Sequence, residues 1–180
     1  MSLREYFGLM ARYNAWMNAK VYDAAAKLPA HELARERGAF FGSVLGTLNH
    51  LAVGDIVWLK RFATHPARYA ALDPVRGIAQ PTSLRQQLAA DLAELRALRQ
   101  RLDATILQWV AALDDDDLAG VLEYANMRGV VSRQPLASLL AHFFNHQTHH
   151  RGQVSTLLFQ AGQDVGTTDL IALILEETVA

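Results

Sequence analysis

Four stretches of this chain repeat apolar residues at intervals of three and four, and this spacing constrains the fold more than any other feature of the sequence. Since three to four residues make one turn of an α-helix, each stretch predicts a helix with one apolar face. The predicted helices cover residues 3–28, 40–63, 84–113 and 135–161. Four long amphipathic helices with one wide connection indicate an all-α protein, a four-helix bundle.

The ends of the predicted helices carry recognisable signals. Residues 64–82 contain three of the five prolines and predict a long crossover loop, with Ser83 as the N-cap of the third helix. Pro135 fits the first turn of the fourth helix. Gly162 follows the end of that helix, where a C-terminal glycine cap is expected.

The remaining segments predict short elements. Residues 120–134 place apolar pairs before and after a glycine, which favours a small hairpin. The run Asp114–Asp117 has the composition of an acidic metal cluster, but consecutive carboxylates at a helix end point in different directions, so we interpret it as solvated. Thr168 is expected to cap a short C-terminal helix over residues 169–179. Without an internal repeat, the chain predicts one domain, residues 1–180.

Charge and composition exclude several functions. Lys and Arg number 17 against 18 Asp and Glu, a formal net charge of −1 that offers no basic surface for nucleic acid or anionic lipid. No apolar run approaches the roughly 18 residues that cross a bilayer. Arg4 and Glu5 interrupt the start of the chain, where a signal peptide would be apolar. We therefore expect a cytoplasmic protein with no nucleic-acid or membrane partner.

The absence of cysteine limits the chemistry of any metal site to His, Asp and Glu. Other enzyme motifs are missing as well. No glutamate is followed by histidine at the Glu-x-x-His spacing of di-iron carboxylate bundles, and the H-E-x-x-H motif of metalloproteases is absent. The glycine-rich phosphate loop, the dinucleotide fingerprint and the G-x-S-x-G motif are also absent. The histidines remain as the candidates.

Four of the seven histidines crowd into the sequence HFFNHQTHH of the predicted fourth helix. A helix advances about 100° per residue, which turns His146 and His150 into the bundle and leaves His142 and His149 on its edge. Two inward imidazoles are costly to bury without partners, and their i, i+4 spacing lets both rings reach one metal ion. We therefore favour metal ligands over histidines that are only hydrogen-bonded.

A third ligand would have to come from another helix, and the second helix offers His50 near the inward edge of its apolar face. Gly54, one turn later, leaves space beside that ring, either for a metal site or for a close contact between helices. Asp55 points away from His50, so a structural salt bridge is the favoured role and a hydrogen bond to an imidazole the alternative.

Four sequence stretches resemble one known family. They are YNAW in the first helix, LNHLAVGDIVWLKRF in the second, FFNHQTHHRGQVSTLL in the fourth and TTDL near the end. This combination resembles the DinB superfamily, the DinB/YfiT-like metalloenzymes, over nearly the whole chain, and NHxxxHRGQ is its most specific part. The resemblance implies that His50, His146 and His150 are ligands of a divalent metal ion, with zinc or nickel the expected metals.

The resemblance also implies a class of reaction. Relatives include transferases and isomerases that use low-molecular-weight thiols such as bacillithiol or mycothiol. Three neutral histidines leave open positions on the ion, as in catalytic sites, and an ion of this kind can activate water or a thiol. We therefore expect a metal-dependent thiol transferase or hydrolase acting on a small-molecule substrate, in detoxification or stress response. The alternative is a non-catalytic metal- or ligand-binding bundle.

Several further residues are candidates for the substrate site. Tyr13, Trp16 and Trp58 are candidates for its cavity wall, although a role as ordinary core aromatics is favoured. Arg151 and Gln153 would contact an anionic group of the substrate, and a surface salt bridge or a helix cap is the alternative for Arg151. The sequence selects no general acid or base. The apolar surface of the first and third helices, with the pairing common in the family, predicts a homodimer.

Overall fold

The computed structural model describes residues 1–179, and the predicted all-α four-helix bundle is confirmed. In chain order the elements are α1 (Leu3–Ala25), α2 (Ala30–Ala34), α3 (Val44–Phe62), α4 (Asp73–Arg76), α5 (Leu92–Ala112), α6 (Asp115–Ala119), β1 (Val121–Ala125), β2 (Val131–Pro135), α7 (Leu136–Gln160) and α8 (Leu170–Val179). The long helices α1, α3, α5 and α7 form the bundle. Within residues 1–179, no helix combines the length and the apolar character needed to cross a bilayer.

The bundle is held together by the apolar faces that the sequence predicted. Helix α1 packs on α5 and α7, and α3 packs on the same two helices. At the centre, the ring of Phe62 stacks on Trp109 with 4.6 Å between ring centres and meets the edge of Phe143 at 5.9 Å. Full burial of a side chain of this kind contributes about 1.5–3 kcal/mol, so these rings help to fix α3 against α5 and α7.

The third long helix begins at Leu92, later than predicted, and its N-cap is Asp91 rather than Ser83. Before it, the N–H groups of Leu88 and Ala89 donate to Asn49 Oδ1 of α3 at 2.7 and 3.1 Å. These backbone groups therefore bind across the bundle instead of starting a helix. The crossover from α3 to α5 is longer than expected and includes a turn of 3-10 helix and the short α4.

Three other helix ends differ from the predicted ones. Helix α3 begins at Val44 rather than at residue 40, since Ser43 Oγ accepts a hydrogen bond from Gly46 N at 3.0 Å. Helix α1 ends at Ala25, and Pro29 then caps the separate helix α2. Pro135 closes β2 and caps α7, one position earlier than expected.

The other local expectations agree with the structure. Strands β1 and β2 form the predicted hairpin, antiparallel with Glu123 opposite Arg133. Gly162 follows α7 with φ of 81°, the left-handed conformation that favours glycine after a helix. The acidic run is exposed for the most part, and Asp114 and Asp117 cap the start of α6 reciprocally.

A buried ionic cluster crosses the bundle beside this apolar core. Arg99 of α5 pairs with Asp55 of α3 at 2.5 Å and with Asp103 at 3.0 Å. Asn14 and Asn18 of α1 donate to Asp103 Oδ1 at 3.1 and 2.9 Å. Burial raises the pKa of both carboxyl groups against the attraction of Arg99. Asp55 is fully buried, so the cluster depends on that one guanidinium.

Arg99→Met is expected to destabilise the fold by about 3–5 kcal/mol, because it leaves buried carboxylates without their cation. Urea unfolding followed by circular dichroism measures this loss. Arg12→Met is the matched control, since Arg12 pairs with Glu177 at the surface and its loss should cost less than about 1 kcal/mol. Equal stability of the two variants would show that the buried cluster contributes no more than a surface pair.

Candidate metal centre

The structure brings three imidazole rings together between α3 and α7. His50 comes from α3, while His146 and His150 lie one turn apart on α7. The Nε2 atom of His50 is 3.3 Å from Nε2 of His146 and 3.1 Å from Nε2 of His150. One nitrogen from each ring lies within 4.8 Å of the others, close enough for all three to hold one metal ion. We call these residues the histidine triad.

Hydrogen bonds at the far side of two rings decide where their protons lie. The carbonyl oxygen of Leu84 is 2.9 Å from Nδ1 of His50, and a carbonyl only accepts, so Nδ1 carries the proton. The side-chain oxygen of Gln153 is 2.8 Å from Nδ1 of His150, while the Gln153 amide nitrogen is 3.2 Å from His149. Nε2 of His50 and Nε2 of His150 therefore both present a lone pair.

Two lone pairs that face each other at 3.1 Å repel unless a cation lies between them. A proton is a poor candidate at neutral pH. Burial lowers the pKa of His50 to about 4 and that of His146 to about 3. Burial also lowers the pKa of His150. Three neutral imidazoles that converge through Nε2, two of them held by hydrogen bonds at Nδ1, suit a divalent metal ion in donor type and orientation.

Gly54 provides the space for the ring of His146. A Cβ atom at this position would lie 2.8 Å from Cε1 of His146, closer than real side chains approach each other. Of the two roles considered from the sequence, the structure favours space beside the triad, because the atoms nearest to that Cβ belong to the imidazole and not to the α7 backbone.

Phe41 covers the triad on one side, a role that the sequence pattern did not indicate. Its ring stacks on His50 with 3.7 Å between ring centres and 15° between planes, and it meets His150 edge-on at 5.5 Å. The predicted second helix included Phe41, but not on its apolar face, and in the structure Phe41 precedes α3. Leu84, which fixes the His50 proton, was expected inside a helix, where its carbonyl would be committed to the helix itself.

An open cleft of about 430 Å³ adjoins the triad. His50 and His146 form one part of its lining, and Trp58, Arg61, Met127 and His142 form another. Trp58 lines the cavity, one of the two roles considered for it from the sequence, with its ring 5.0 Å from that of His142. His142 and His149 are exposed and stand outside the triad, in agreement with the helical wheel.

Two predicted wall residues lie elsewhere. The hydroxyl of Tyr13 donates to the carbonyl of Thr168 at 2.5 Å, and the indole of Trp16 donates to Glu176 at 3.1 Å. These bonds hold α1 against the C-terminal segment. Neither aromatic ring lines the cleft.

The polar candidates also divide. Arg151 is buried and donates to Asn14 of α1, so it is neither a surface salt bridge nor a contact for substrate, because one residue step of about 100° turns it away from His150. Gln153 orients the His150 ring. Asp55 forms the expected salt bridge, with Arg99, and does not contact an imidazole.

The comparisons with known proteins agree with the resemblance in the sequence. The chain is 26% identical over 158 residues to Protein DinB of Bacillus subtilis (strain 168), which covers 87% of each protein. A crystal structure of a DinB-like protein from Bacillus cereus ATCC 10987 superposes with a TM-score of 0.65 at 20% identity, over 91% of this chain and 95% of that one, and therefore shows the same fold. The model of the DinB family matches residues 1–177, and the chain belongs to this family.

Proposed function

We propose that His50, His146 and His150 bind one divalent metal ion and that the protein is a metal-dependent enzyme acting on a small molecule, as a thiol transferase or a hydrolase. The observation that carries the proposal is the convergence of one nitrogen from each of the three rings within 4.8 Å, with Nε2 of His50 3.1 Å from Nε2 of His150. With both rings protonated at Nδ1, these two Nε2 atoms repel each other. A bound cation would convert this repulsion into two bonds.

The donor set favours a transition-metal ion, and the family resemblance favours zinc or nickel among such ions. All three groups are neutral imidazole nitrogens, and no carboxylate oxygen joins them in the cluster found among the described residues. Imidazole suits zinc, nickel, copper and iron, whereas magnesium and calcium prefer oxygen ligands. Three protein ligands are also fewer than the four of a closed structural zinc site, which favours a catalytic role.

When bound, the ion would supply Lewis acidity and lower the pKa of a thiol or a water molecule that reaches it. The chain's own residues orient its ligands and shape the cleft. Leu84 and Gln153 hold two rings through their Nδ1 atoms, and Phe41 shields the His50 ring. Trp58 provides an aromatic wall for the body of a ligand.

The family resemblance is the support for the finer parts of the proposal. These parts are a low-molecular-weight thiol as the co-substrate and a role in detoxification or stress response. The homodimer and the cytoplasmic location expected from the sequence stay predictions. A non-catalytic bundle, in which the ion only ties α3 to α7, is the alternative that the experiments below separate from an enzyme.

Alanine at His50, His146 or His150 is expected to weaken metal binding by well over tenfold, because even the residues around metal ligands commonly account for 10 to 100-fold. His142→Ala and His149→Ala are matched controls from the same helix and should retain the metal. Metal content is measured after equal dialysis against a weak chelator, and circular dichroism checks the fold. Retained metal in His50→Ala together with loss in His142→Ala would contradict the triad.

The same variants test for catalysis. Wild-type protein and His50→Ala are incubated with a thiol and a panel of small electrophiles and esters, and product is followed by mass spectrometry. Turnover by the wild type that is lost in His50→Ala supports the enzyme. Metal binding without turnover on the whole panel would favour the non-catalytic bundle.

Gly54→Ala is expected to lower the affinity for Zn²⁺ by about tenfold or more, because the new methyl group displaces the His146 ring. The helix itself should not suffer, since alanine is a better helix former than glycine by about 1 kcal/mol. Competition with a chromophoric chelator measures the affinity. Gly152→Ala is the matched control in α7, with no atom within 4 Å of the added Cβ, and should bind Zn²⁺ as the wild type does. Equal affinity of both variants would refute the role of Gly54.

A further inference from the structure

We propose that the cleft beside the triad binds small molecules that carry an anionic group, and that Arg61 is the residue that binds this group. The inference deepens the proposed function, because it takes this cleft as the substrate site and assigns a chemical class to its ligand. It rests on the surroundings of Arg61, which differ from those of every other arginine of comparable burial within residues 1–179.

Arg61 lies on the same face of α3 as His50. The two residues are eleven positions apart, which returns to within about 20° on the helix and spans about 16 Å along its axis. Gly54 and Trp58 lie between them on this face, and all four residues line the cleft. One rigid helix therefore carries both the triad's third ring and the cation.

Among residues 1–179, no acceptor pairs with the guanidinium of Arg61, which is half-buried. It lies 4.5 Å from the ring centre of Trp58 and 5.2 Å from that of Tyr124. Such stacking occupies the faces of the guanidinium plane and leaves its N–H groups at the edge. Burial lowers the pKa of Arg61, and no carboxylate opposes this effect. Partly desolvated donors without an acceptor are costly, so the structure leaves a place for an anion.

Every other arginine that is buried or partly buried within residues 1–179 has an acceptor. The pairs are Arg37 with Glu32, Arg76 with Asp73, Arg96 with Asp23, Arg99 with Asp55 and Asp103, and Arg151 with Asn14. The fold thus supplies acceptors wherever an arginine has only a structural role. Arg61 is the exception, and among these buried or partly buried arginines it is the one that lines the cleft.

The charges along the cleft favour an anionic ligand. Its lining includes Arg128 from the hairpin loop in addition to Arg61, and no aspartate or glutamate. Glu123 lines the groove that continues beyond Arg61, but it is directed to the opposite strand, where it lies 3.9 Å from Arg133. An anion that enters beside the triad therefore meets positive charge without a neighbouring carboxylate.

The walls between the triad and Arg61 indicate the rest of the ligand. Val57, Trp58 and Met127 present apolar and aromatic surface there. We expect an elongated small molecule with an apolar body and a terminal carboxylate or phosphate. Arginine pairs with either group through two parallel hydrogen bonds. Arg151, one of two residues considered for this contact from the sequence, donates to Asn14 of α1 instead, and we assign the contact to Arg61.

The test uses two anionic probes and a neutral analogue on the full chain. NMR titrations give the dissociation constants of 3-phenylpropanoate, phenyl phosphate and 3-phenylpropanamide, each with metal-loaded protein and with chelator-treated protein. We expect at least one anion to bind the wild type more tightly than the amide does. The tighter of the two anions identifies the group as carboxylate or phosphate. Equal affinity for both anions and the amide would overturn the proposal without requiring any variant.

Two variants then separate charge from packing. Arg61→Met keeps an unbranched side chain over Trp58 but removes the charge, and should weaken anion binding by about tenfold or more while amide binding is unchanged. Arg61→Lys should retain part of the affinity. Arg101→Met is the matched control. It removes the same charge as Arg61→Met, but Arg101 is exposed on α5 and lies away from the cleft. Wild-type anion affinity in Arg61→Met, or an equal loss in Arg101→Met, would refute the assignment.

The outcome is independent of the metal proposal. If Arg61 binds the anion, the preference for anion over amide persists in chelator-treated protein and in His50→Ala. A preference that disappears with the metal would show that the ion, and not Arg61, binds the anionic group, and would overturn this inference while supporting the metal site. If the wild-type protein takes up no divalent metal under any condition but still prefers the anions, Arg61 is supported and the proposed function is refuted.

Discussion

The register between α3 and α7 depends on one buried charge, the guanidinium of Arg99. It holds Asp55 in place, and Asp55 in turn accepts a hydrogen bond from the side chain of Gln147. Gln147 is the neighbour of His146 in sequence, and Asp55 follows Gly54, so this bond fixes the two helices next to the point where the imidazoles meet. A shift of either helix by one turn would move a ring by about 5.4 Å and separate the triad. The ionic cluster is therefore as important for the geometry of the site as the histidines themselves.

A second constraint comes from the crossover segment before α5. Asn49 binds the backbone of Leu88 and Ala89, and this brings the carbonyl of Leu84 to the adjacent His50. The roles of two neighbouring residues of α3 are thus coupled. Asn49 binds the crossover segment, and the Leu84 carbonyl of that segment accepts the Nδ1 proton of His50. The N–H groups of Leu88 and Ala89 therefore bind Asn49 and do not form the hydrogen bonds of the predicted longer helix. The late start of α5 and the orientation of the His50 ring therefore have the same physical cause, the contact between Asn49 and the crossover segment.

The parts of the structure that repeat at helical period could be predicted from the sequence. The long helices follow from their apolar faces, and the inward direction of His146 and His150 follows from their spacing of four. His50 could be selected because the first and third helices contain no histidine. Phe41, Leu84 and Arg61 could not be selected in this way, because their roles depend on contacts between segments far apart in sequence. Arg151 shows this limit most clearly. The helical period gives its direction relative to His150, but it does not identify Asn14 of α1 as its partner.

The proposed ligand would be contacted by two different elements of the fold, the rigid helix α3 and the hairpin loop. His50 and Arg61 belong to one helix, so the distance between them is set by backbone hydrogen bonds and changes little with what enters the cleft. Arg128 and Met127 belong to the hairpin loop that faces this helix, and both are exposed. A ligand with a reactive group at one end and an anion at the other would therefore find its two ends fixed by α3, while the loop contacts the body between them and adds the charge of Arg128. We expect relatives that bind ligands with different bodies to differ in the hairpin loop, because a change there leaves the spacing of the two fixed ends intact.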